Sequence, residues 1–358
     1  MIKVLGLALY GPLAASTRYR LGQYVSGLAS IGIDLEICHL LGDNYLRRRF
    51  SGGFLPFNEV FHGVLQRLSD LFRYRNYDLA ILHCELFPLM PSCIEGVLLR
   101  VPYIYDFDDA FYLKYRNPRF GALSPLLGNK FDNVIRRASA ITAGNNVLKN
   151  YAERFNPSTL LLPTVVDTIR YTVNEFRQSD GPFVVGWIGS PSTVPYLRSL
   201  VQPLSALGRE GPVRFVIVGG KAPEIPNVEV IEVVWSEDTE VDLLNHFDVG
   251  VMPLPDDDWA RGKCAFKLIQ YMACGVPVVA SPVGANIDVV SKDCGLLAGS
   301  SEEWLESLRW LRDNPVARKK IGVLGRARVV EHYSLNNNLP QLAQIIHQVA
   351  LRSQRNRQ

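Results

Sequence analysis

The sequence has few of the features that mark metal-binding, secreted or membrane-spanning proteins. Its six cysteines and six histidines are scattered over 358 residues, without the spacing of metal ligands. No segment has the ~18 uninterrupted apolar residues that a membrane-spanning helix needs. Several cysteines lie in apolar runs, so they are interpreted as reduced, buried thiols of a cytoplasmic protein.

The chain also lacks a strong charge, a low-complexity tract, a P-loop and a Ser-His-Asp arrangement. A formal net charge of +3 is too small by itself to indicate nucleic acid binding. With 47% apolar and 20% charged residues, the composition is that of an ordinary globular protein. A chain of this length is too long for one core, so two domains are expected.

The first 16 residues allow two readings. A single lysine followed by apolar residues could pass for a signal peptide. However, Tyr10-Gly-Pro12 interrupts the apolar run early, and a buried first strand that ends in a turn explains the same residues. We favour the strand.

Strand-like runs alternate with helix-length segments, which is typical of parallel sheets with helices on both faces. Two such series predict an α/β protein with two doubly wound, Rossmann-like domains. The boundary is predicted within 163–182, which gives domains of residues 1–170 and 171–335. The predicted strands are 2–9, 34–39, 78–83, 101–106, 140–143, 160–162, 183–188, 214–218, 228–233, 248–252, 277–280 and, with a weaker pattern, 295–298.

Open parallel sheets bind ligands at the carboxyl ends of their strands, beside helix N-termini. In the second half these ends carry turns of small residues at Gly189–Thr193, Gly219–Lys221 and Pro282–Gly284. Backbone amides in such turns can approach a phosphate closely. Three of them on one predicted sheet favour a phosphate-bearing ligand.

The segment from Arg261 to Ser281 is the most informative in the chain. It predicts a helix that begins after a glycine and ends at Gly275. At roughly 100° per residue, Lys263, Lys267 and Gln270 fall on one strip of that helix. Two ammonium groups and a carboxamide at a helix start suit an anionic ligand such as a diphosphate. A strip that simply faces water is the alternative.

Six segments together resemble family 4 glycosyltransferases over nearly the whole chain. The resemblance implies the GT-B fold, with two domains facing a cleft and a C-terminal helix, about 336–358, that packs on the first domain. The donor-domain segments are Gly186–Pro191, Asp248–Leu254 and Phe266–Ser281, and those similar to the acceptor domain of a bacterial surface-polysaccharide subgroup are Ser16–Arg20, Glu85–Pro88 and Tyr105–Ala110.

The resemblance implies a retaining transfer of a sugar from a nucleotide diphosphate sugar to a glycan or lipid-linked acceptor, without a metal or cofactor. Lys267 would hold the diphosphate, on which charge grows as the glycosidic bond opens. The residues predicted to bind the donor are Gly189, Ser190, Pro191, Ser192, Gly219, Trp235, Arg261, Gly262, Lys263, Cys264, Ala265, Phe266, Lys267, Gln270 and Gly284.

The resemblance also implies roles within this set. The amides of Gly189 and Ser190 would lie behind the diphosphate, and Arg261 or Lys263 would assist. Segment 262–266 would present amides to the hydroxyls of the donor sugar. Trp235 would contact the base, and Gln270 would reach the ribose or a sugar hydroxyl.

The chain departs from the family at two glutamates, whose positions are taken by Gly262 and Gln270. The missing first carboxylate leaves the sugar's outer hydroxyls less strongly held, which would suit a deoxy sugar. The departure keeps open a protein that binds a nucleotide sugar without transferring it. A nucleotide-sugar epimerase shares the architecture, but it would need acid and base carboxylates near the donor sugar.

An Asp-Phe-Asp-Asp run follows the fourth predicted strand. Asp-x-Asp binds a metal in a different glycosyltransferase fold, but here it is far in sequence from the phosphate-type turns and is read as acceptor-side. Asp109 or Asp106 is predicted to orient the attacking hydroxyl or accept its proton. Alternatively, Asp108 or Asp109 caps the helix that contains 110–113. The predicted acceptor site is Gly11, Arg18, Tyr19, Arg20, Asp106, Asp108 and Asp109.

Clusters of basic residues in the first half of the chain are relevant to the kind of acceptor and to its location. Arg47–Arg49 precede Phe50 and an apolar stretch. Cations beside aromatic residues suit an anionic membrane surface or a lipid-linked diphosphate. A solvated face is the default alternative. The expectation is therefore a cytoplasmic protein that associates peripherally with the inner face of the cell membrane.

Overall fold

The computed structural model describes residues 1–54, 56–174, 181–291 and 293–355, apart from the side chains of residues 119, 354 and 355. Within them, each half of the chain builds a six-stranded sheet, and all the strand pairs are parallel. The strands are β1 Ile2–Tyr10, β2 Ile33–Leu41, β3 Leu79–His83, β4 Tyr103–Phe107, β5 Ala140–Ala143, β6 Thr159–Leu161, β7 Phe183–Ile188, β8 Val213–Val218, β9 Glu229–Val233, β10 Val249–Met252, β11 Val278–Ala280 and β12 Leu296–Leu297.

Both sheets are doubly wound, with strand orders β2-β1-β3-β4-β5-β6 and β12-β11-β10-β7-β8-β9. The connecting helices are α1 Ala15–Arg20, α2 Val25–Ser30, α3 Asp43–Phe50, α4 Phe57–Phe72, α5 Ser92–Leu98, α6 Ser124–Leu127, α7 Lys130–Arg137, α8 Asn146–Glu153, α9 Val201–Glu210, α10 Glu240–Asn245, α11 Asp258–Arg261, α12 Phe266–Ala273, α13 Ala285–Val289, α14 Ser301–Asp313, α15 Pro315–His332 and α16 Leu335–Arg355.

The chain divides into two compact units. Unit 1 consists of residues 1–165, 262–264 and 335–358, and unit 2 of residues 166–261 and 265–334. The three residues 262–264 therefore pack with unit 1, although they come from the loop that precedes α12. Residues 175–180, which include part of the predicted boundary, lie outside the described residues.

The core of unit 1 joins the first sheet to the C-terminal helix. Leu342, Ile346 and Val349 of α16 pack in one buried cluster with Val4 and Ile104 of the sheet. The predicted C-terminal helix that returns to the first domain is thereby confirmed. Apolar residues recur on α16 at helical spacing because that face is covered by the sheet.

The core of unit 2 is built on β7, β8 and β10. Trp187, Phe215 and Val251 are buried in one cluster. Gly186 faces Phe247 so closely that a Cβ on the glycine would lie 2.0 Å from the phenylalanine ring. A glycine in the middle of β7 thus makes room for the aromatic ring, because any side chain there would clash with it.

The predicted strands are confirmed, with ends that differ from the observed ones by at most two residues. The buried, free thiols are confirmed for Cys84, Cys264, Cys274 and Cys294, whereas Cys93 is exposed and Cys38 is half-buried. None of the helices in the described part of the chain is long and apolar enough to cross a membrane.

Candidate functional site

Two glycine turns of unit 2 meet at the carboxyl edge of its sheet. Gly189 follows β7 and Gly219 follows β8, and these strands are neighbours. Gly219 has a φ of +84°, and a Cβ there would lie 2.4 Å from the carbonyl oxygen of Gly189. Both the backbone conformation and the close approach require glycine at this position.

Lys267 lies against the first of these turns. It occupies the first turn of α12 and is half-buried. A Cβ on Gly189 would lie 2.8 Å from Cε of Lys267 and 2.5 Å from the ring of Trp187. The ammonium of Lys267 lies 5.5 Å from the centroid of that ring, within the range of a cation–π contact. The structure therefore brings Lys267 and Gly189 together as the sequence predicted.

The start of α12 differs from the prediction. The helix begins at Phe266, and its N-cap is Ala265, with a φ of +52° and no capping side chain. A left-handed alanine is uncommon and marks a locally constrained backbone. Lys263 precedes the helix, so the predicted strip of Lys263, Lys267 and Gln270 on one helix face is wrong.

Some polar groups of the Gly189 turn already form hydrogen bonds within the protein. The amide of Gly189 donates to the carbonyl of Val218 at 3.0 Å, so its predicted role behind a phosphate is wrong. The amide of Ser190 remains the predicted phosphate donor of this turn. Pro191 begins a 3₁₀ segment that runs to Leu200, and the hydroxyls of Ser190 and Ser192 lie 2.8 Å apart.

Arg261 and Gly284 also meet in unit 2, but not as phosphate ligands. The exposed guanidinium of Arg261 pairs with Asp256 at 2.7 Å and with Asp258 at 3.4 Å. Gly284, with a φ of +54°, packs on the backbone of Arg261, where a Cβ would lie 2.3 Å from the carbonyl oxygen. The charge of Arg261 is directed to the acidic loop, contrary to its predicted help with the diphosphate.

A chain of hydrogen bonds links Gln270 to Trp235 through the interior of unit 2. The amide nitrogen of the buried Gln270 donates to the Tyr171 hydroxyl at 2.9 Å, and Tyr171 donates to the Glu240 carboxylate. The indole N–H of Trp235 donates to the same carboxylate at 2.6 Å. The amide nitrogen of Gln270 is thus directed inward, so the predicted contact with a ligand hydroxyl stays a prediction for the amide oxygen alone. The ring face of Trp235 remains its predicted contact with a base.

Asp106 is the centre of a buried polar network in unit 1. Its carboxylate accepts hydrogen bonds from Arg20 through two nitrogens, from Nδ1 of His83 at 2.8 Å and from the Thr142 hydroxyl at 2.6 Å. Arg20 also donates to the carbonyl of Leu162 at 2.6 Å. Both side chains are almost fully buried, so neither contacts an acceptor, contrary to their predicted roles.

The electrostatics agree with a structural role for Asp106. Burial by itself raises the pKa of this carboxyl, but the Arg20 guanidinium and the hydrogen bond from His83 outweigh burial and hold the pKa well below its ordinary value. A carboxylate stabilised in this way is a poor proton acceptor. Asp109 is therefore the better of the two predicted bases.

Asp108 and Asp109 follow β4 and are only partly buried. The Asp109 side chain is 34% exposed, and Lys263 Nζ lies 3.5 Å from its carboxylate. Burial raises the pKa of Asp108; His83 opposes this rise and Asp109 adds to it. The 3₁₀ segment that follows begins at Phe111 with Ala110 as its N-cap, so neither aspartate takes the capping position.

Residues 262–264 are held in unit 1 by their carbonyls and a thiol. The side-chain amide of Asn145 donates to the carbonyls of Gly262 at 2.8 Å and of Lys263 at 3.1 Å. The thiol of Cys264 donates to the carbonyl of Asp108 at 2.9 Å. These hydrogen bonds do not involve the backbone amides of residues 262–264. The contact of those amides with the donor sugar therefore stays a prediction.

The loop after β1 is shaped by its own side chains. The carboxylate of Asp43 accepts from the amide of Leu13 at 2.9 Å, and a Cβ on Gly11 would lie 2.5 Å from that carboxylate. The guanidinium of Arg18 donates to the carbonyls of Pro12 at 2.7 Å and of Leu13 at 2.8 Å. Tyr19 is buried, contrary to its predicted contact with an acceptor.

Three functional candidates were missed by sequence reasoning. Asn145 and Glu240 are polar residues whose partners are distant in sequence, and nothing in their local pattern reveals them. His83 is buried in the core, where its ring lies between Asp106 and the thiol of Cys84, and no spacing in the sequence marks it as part of a site.

A comparison with protein-family models gives a match largely within unit 2. Residues 182–314 match the family model described as "Glycosyl transferases group 1". This segment contains Gly189, Gly219 and Lys267, and it covers much of unit 2. A search of curated protein sequences finds no significant match.

Several solved structures share the fold over nearly the whole chain. Sucrose-phosphate synthase from Thermosynechococcus elongatus is 14% identical, with a TM-score of 0.72 over 98% of this chain and 99% of that one. Anabaena Alr3699/HepE in complex with UDP-glucose is 17% identical, with a TM-score of 0.66 over 97% and 100%. A putative UDP-N-acetylglucosamine 2-epimerase from Listeria monocytogenes is 11% identical, with a TM-score of 0.55 over 90% of each chain. These similarities show the predicted GT-B fold.

Proposed function

We propose that this protein is a retaining, metal-independent glycosyltransferase. It moves a sugar from a nucleotide diphosphate sugar to a glycan or lipid-linked acceptor in the synthesis of a cell-surface polysaccharide. The observation that carries the proposal is the position of Lys267, whose side chain lies against the Gly189 turn at the carboxyl edge of the unit 2 sheet. The match of residues 182–314 to group 1 glycosyl transferases supports it.

The donor side of the reaction belongs to unit 2. When the glycosidic bond breaks, its electron pair leaves with the diphosphate, and the added negative charge is greatest in the transition state. An ammonium fixed in the first turn of α12 stabilises this charge more than that of the ground state. The N-terminal end of α12 carries a partial positive charge, which also stabilises the negative charge on the diphosphate.

The acceptor side is assigned to unit 1. Asp109 carries the carboxylate that we expect to orient the attacking hydroxyl. Its Oδ1 lies 3.5 Å from Lys263 Nζ, so the two side chains form an ion pair. In a front-face reaction the departing phosphate oxygen accepts the proton of that hydroxyl, so positioning and electrostatics suffice and no protein nucleophile is required.

A two-stage assay tests the function. The purified protein is first screened for binding to UDP-, GDP-, dTDP- and CMP-sugars, beginning with UDP-glucose because a similar structure is a complex with it. The sugars that bind are then tested for transfer to lipid-linked acceptors. Transfer with retained anomeric configuration is the expected result. Binding without transfer would indicate a nucleotide-sugar-binding protein, and conversion of the free nucleotide sugar would indicate an epimerase.

The proposed acceptor side includes a membrane-facing surface, built on α4. This helix buries Arg67 and Asp70 together with Leu71, while its phenylalanine side chains are exposed. Arg67 donates to the carbonyl of Cys38 at 3.2 Å, which anchors the polar face against the sheet. The exposed apolar side chains of α4 are Phe57, Phe61, Leu65 and Phe72. Phe57, Phe61 and Leu65 are four residues apart and Phe72 follows seven residues after Leu65, so all four share one face of the helix.

A basic cluster adjoins this aromatic face in sequence. Arg47, Arg48 and Arg49 of α3 are exposed, and Phe54, in the loop between α3 and α4, is 97% exposed. Aromatic side chains that enter the lipid boundary beside cations that meet anionic headgroups are typical of peripheral membrane proteins. The proposed occupant of this surface is therefore an anionic membrane rather than another protein.

Vesicle sedimentation tests the membrane surface. We expect the protein to pellet with vesicles of phosphatidylcholine and phosphatidylglycerol, and much less with phosphatidylcholine alone or at high salt. The double variant Phe57→Ser/Phe61→Ser is expected to weaken binding about tenfold or more, since a fully buried phenylalanine contributes roughly 1.5–3 kcal/mol. The control is Val316→Ser/Val323→Ser, which removes exposed apolar residues from α15. Equal binding with and without anionic lipid would contradict the proposal.

A further inference from the structure

Three potential metal ligands of different chemistry converge at the carboxyl edge of the unit 1 sheet. His83 is the last residue of β3, Cys84 follows it, and Asp108 follows the neighbouring strand β4. One ligand atom from each of the three lies within 4.8 Å of the other two. The backbone of Cys84 is pinned there, because its amide donates to the carbonyl of Asp106 at 3.0 Å and its carbonyl accepts from the Tyr105 hydroxyl at 2.9 Å.

The contacts of His83 fix the orientation of its ring. Its Nδ1 lies 2.8 Å from the Asp106 carboxylate, which is an acceptor only, so Nδ1 carries the proton. Its Nε2 is the ring nitrogen turned away from that carboxylate, and it lies 3.1 Å from the Cys84 sulfur. A carboxylate behind a histidine, with the second ring nitrogen turned toward other ligands, is the usual support of a metal-binding histidine.

We propose that His83 Nε2, Cys84 Sγ and Asp108 bind one zinc-type divalent cation. Nitrogen, sulfur and carboxylate ligands together favour zinc over magnesium or calcium, which take oxygen ligands. Three protein ligands leave the fourth tetrahedral position open to water or a ligand oxygen.

The three ligand atoms must adjust their distances to accept the ion. Tetrahedral zinc at ordinary bond lengths sets its ligand atoms about 3.3–3.8 Å apart. His83 and Cys84 must therefore separate by a few tenths of an ångström from 3.1 Å, and Asp108, which is half-buried at the start of a loop, closes on them. Cys84 gives up its thiol proton to solvent, and its sulfur then donates an electron pair to the ion in place of its hydrogen bond to His83.

This site is separate from the proposed role of Lys267, since all three ligands belong to unit 1. The proposed transfer requires no metal at the diphosphate, and cation binding in unit 1 does not depend on that transfer. An experiment can therefore distinguish a failure of the proposed cation site from a failure of the proposed transferase function. The ion would lie beside Asp108, which is the chain neighbour of Asp109, the residue that we assign to the acceptor.

Cobalt titration of the full chain tests the site. The protein is stripped with a chelator and dialysed, and Co²⁺ is then added as a spectroscopic substitute for zinc. We expect one equivalent to bind with a thiolate-to-cobalt charge-transfer band, and Zn²⁺ to displace it. Cys84→Ser is expected to abolish the band, and Asp108→Asn to weaken binding about tenfold or more. Asp108 is only half-buried, so this second variant stays informative if Cys84→Ser is unstable.

Two variants of the same residue types serve as controls. Cys93→Ser and His39→Gln change exposed residues outside the cluster and are expected to bind cobalt as the wild type does. Far-UV circular dichroism and thermal melting verify the fold of every variant. The proposal is overturned if the wild type shows no charge-transfer band, if Cys93→Ser removes the band, or if folded Cys84→Ser and Asp108→Asn bind as tightly as the wild type.

Discussion

Replacing Lys267 with alanine is expected to lower kcat for sugar transfer by about a hundredfold to a thousandfold, the loss typical of removing one preorganised charge or donor from a transition state. The lysine ammonium lies where the sheet edge, the Gly189 turn and the first turn of α12 meet. The charge that it would stabilise develops only as the bond breaks, so kcat should fall more than KM rises.

The measurement is steady-state transfer with the sugar and acceptor found in the screen. Lys267→Arg keeps the positive charge but replaces the ammonium with a planar guanidinium. This variant should retain more activity than the alanine variant. Lys320→Ala removes an exposed lysine of α15 and serves as the matched control. Normal turnover in folded Lys267→Ala would remove the central support for glycosyl transfer.

Asp106→Asn is expected to destabilise the protein by about 3–5 kcal/mol. The substitution leaves the guanidinium of Arg20 buried without a charged partner, which is the most costly way to break an internal ion pair. His83 loses its ionic acceptor at the same time. Chemical denaturation followed by circular dichroism measures the change, with attention to whether unit 1 and unit 2 unfold in separate transitions.

Asp109→Asn is the matched comparison, because it makes the same chemical change three residues later. The pair of Asp109 with Lys263 is partly exposed, so its loss should cost about 1 kcal/mol or less. Turnover should nevertheless fall, because the attacking hydroxyl loses its orienting carboxylate. Equal destabilisation by the two substitutions would contradict the division between a structural Asp106 and a functional Asp109.

The strands could be predicted because their signal is local. Runs of Val, Ile and Leu bounded by Gly and Pro, as in Phe183–Ile188, are buried on both faces of a parallel sheet, and the pattern in sequence reports that burial directly. The small-residue turns after β7 and β8 could be predicted for the same reason. A glycine marks the place where one backbone approaches another.

The details of the site could not be predicted, because they depend on partners far away in sequence. Asp106 and Asp109 look equivalent in the sequence, and only Arg20, His83 and Thr142 distinguish them. Gln270 has the spacing of a ligand-facing residue, but Tyr171 lies 2.9 Å from its amide nitrogen. In each case a tertiary hydrogen bond decides what a local pattern leaves open.

The placement of α16 has a consequence for how the protein is made. The last helix fills the same core as β1, although more than three hundred residues of chain separate them. A ribosome therefore synthesises more than three hundred residues after β1 before α16 is available to cover the apolar side of the first sheet. Until then that side is exposed to chaperones and to aggregation, whereas the intervening unit can close earlier from segments that are already complete.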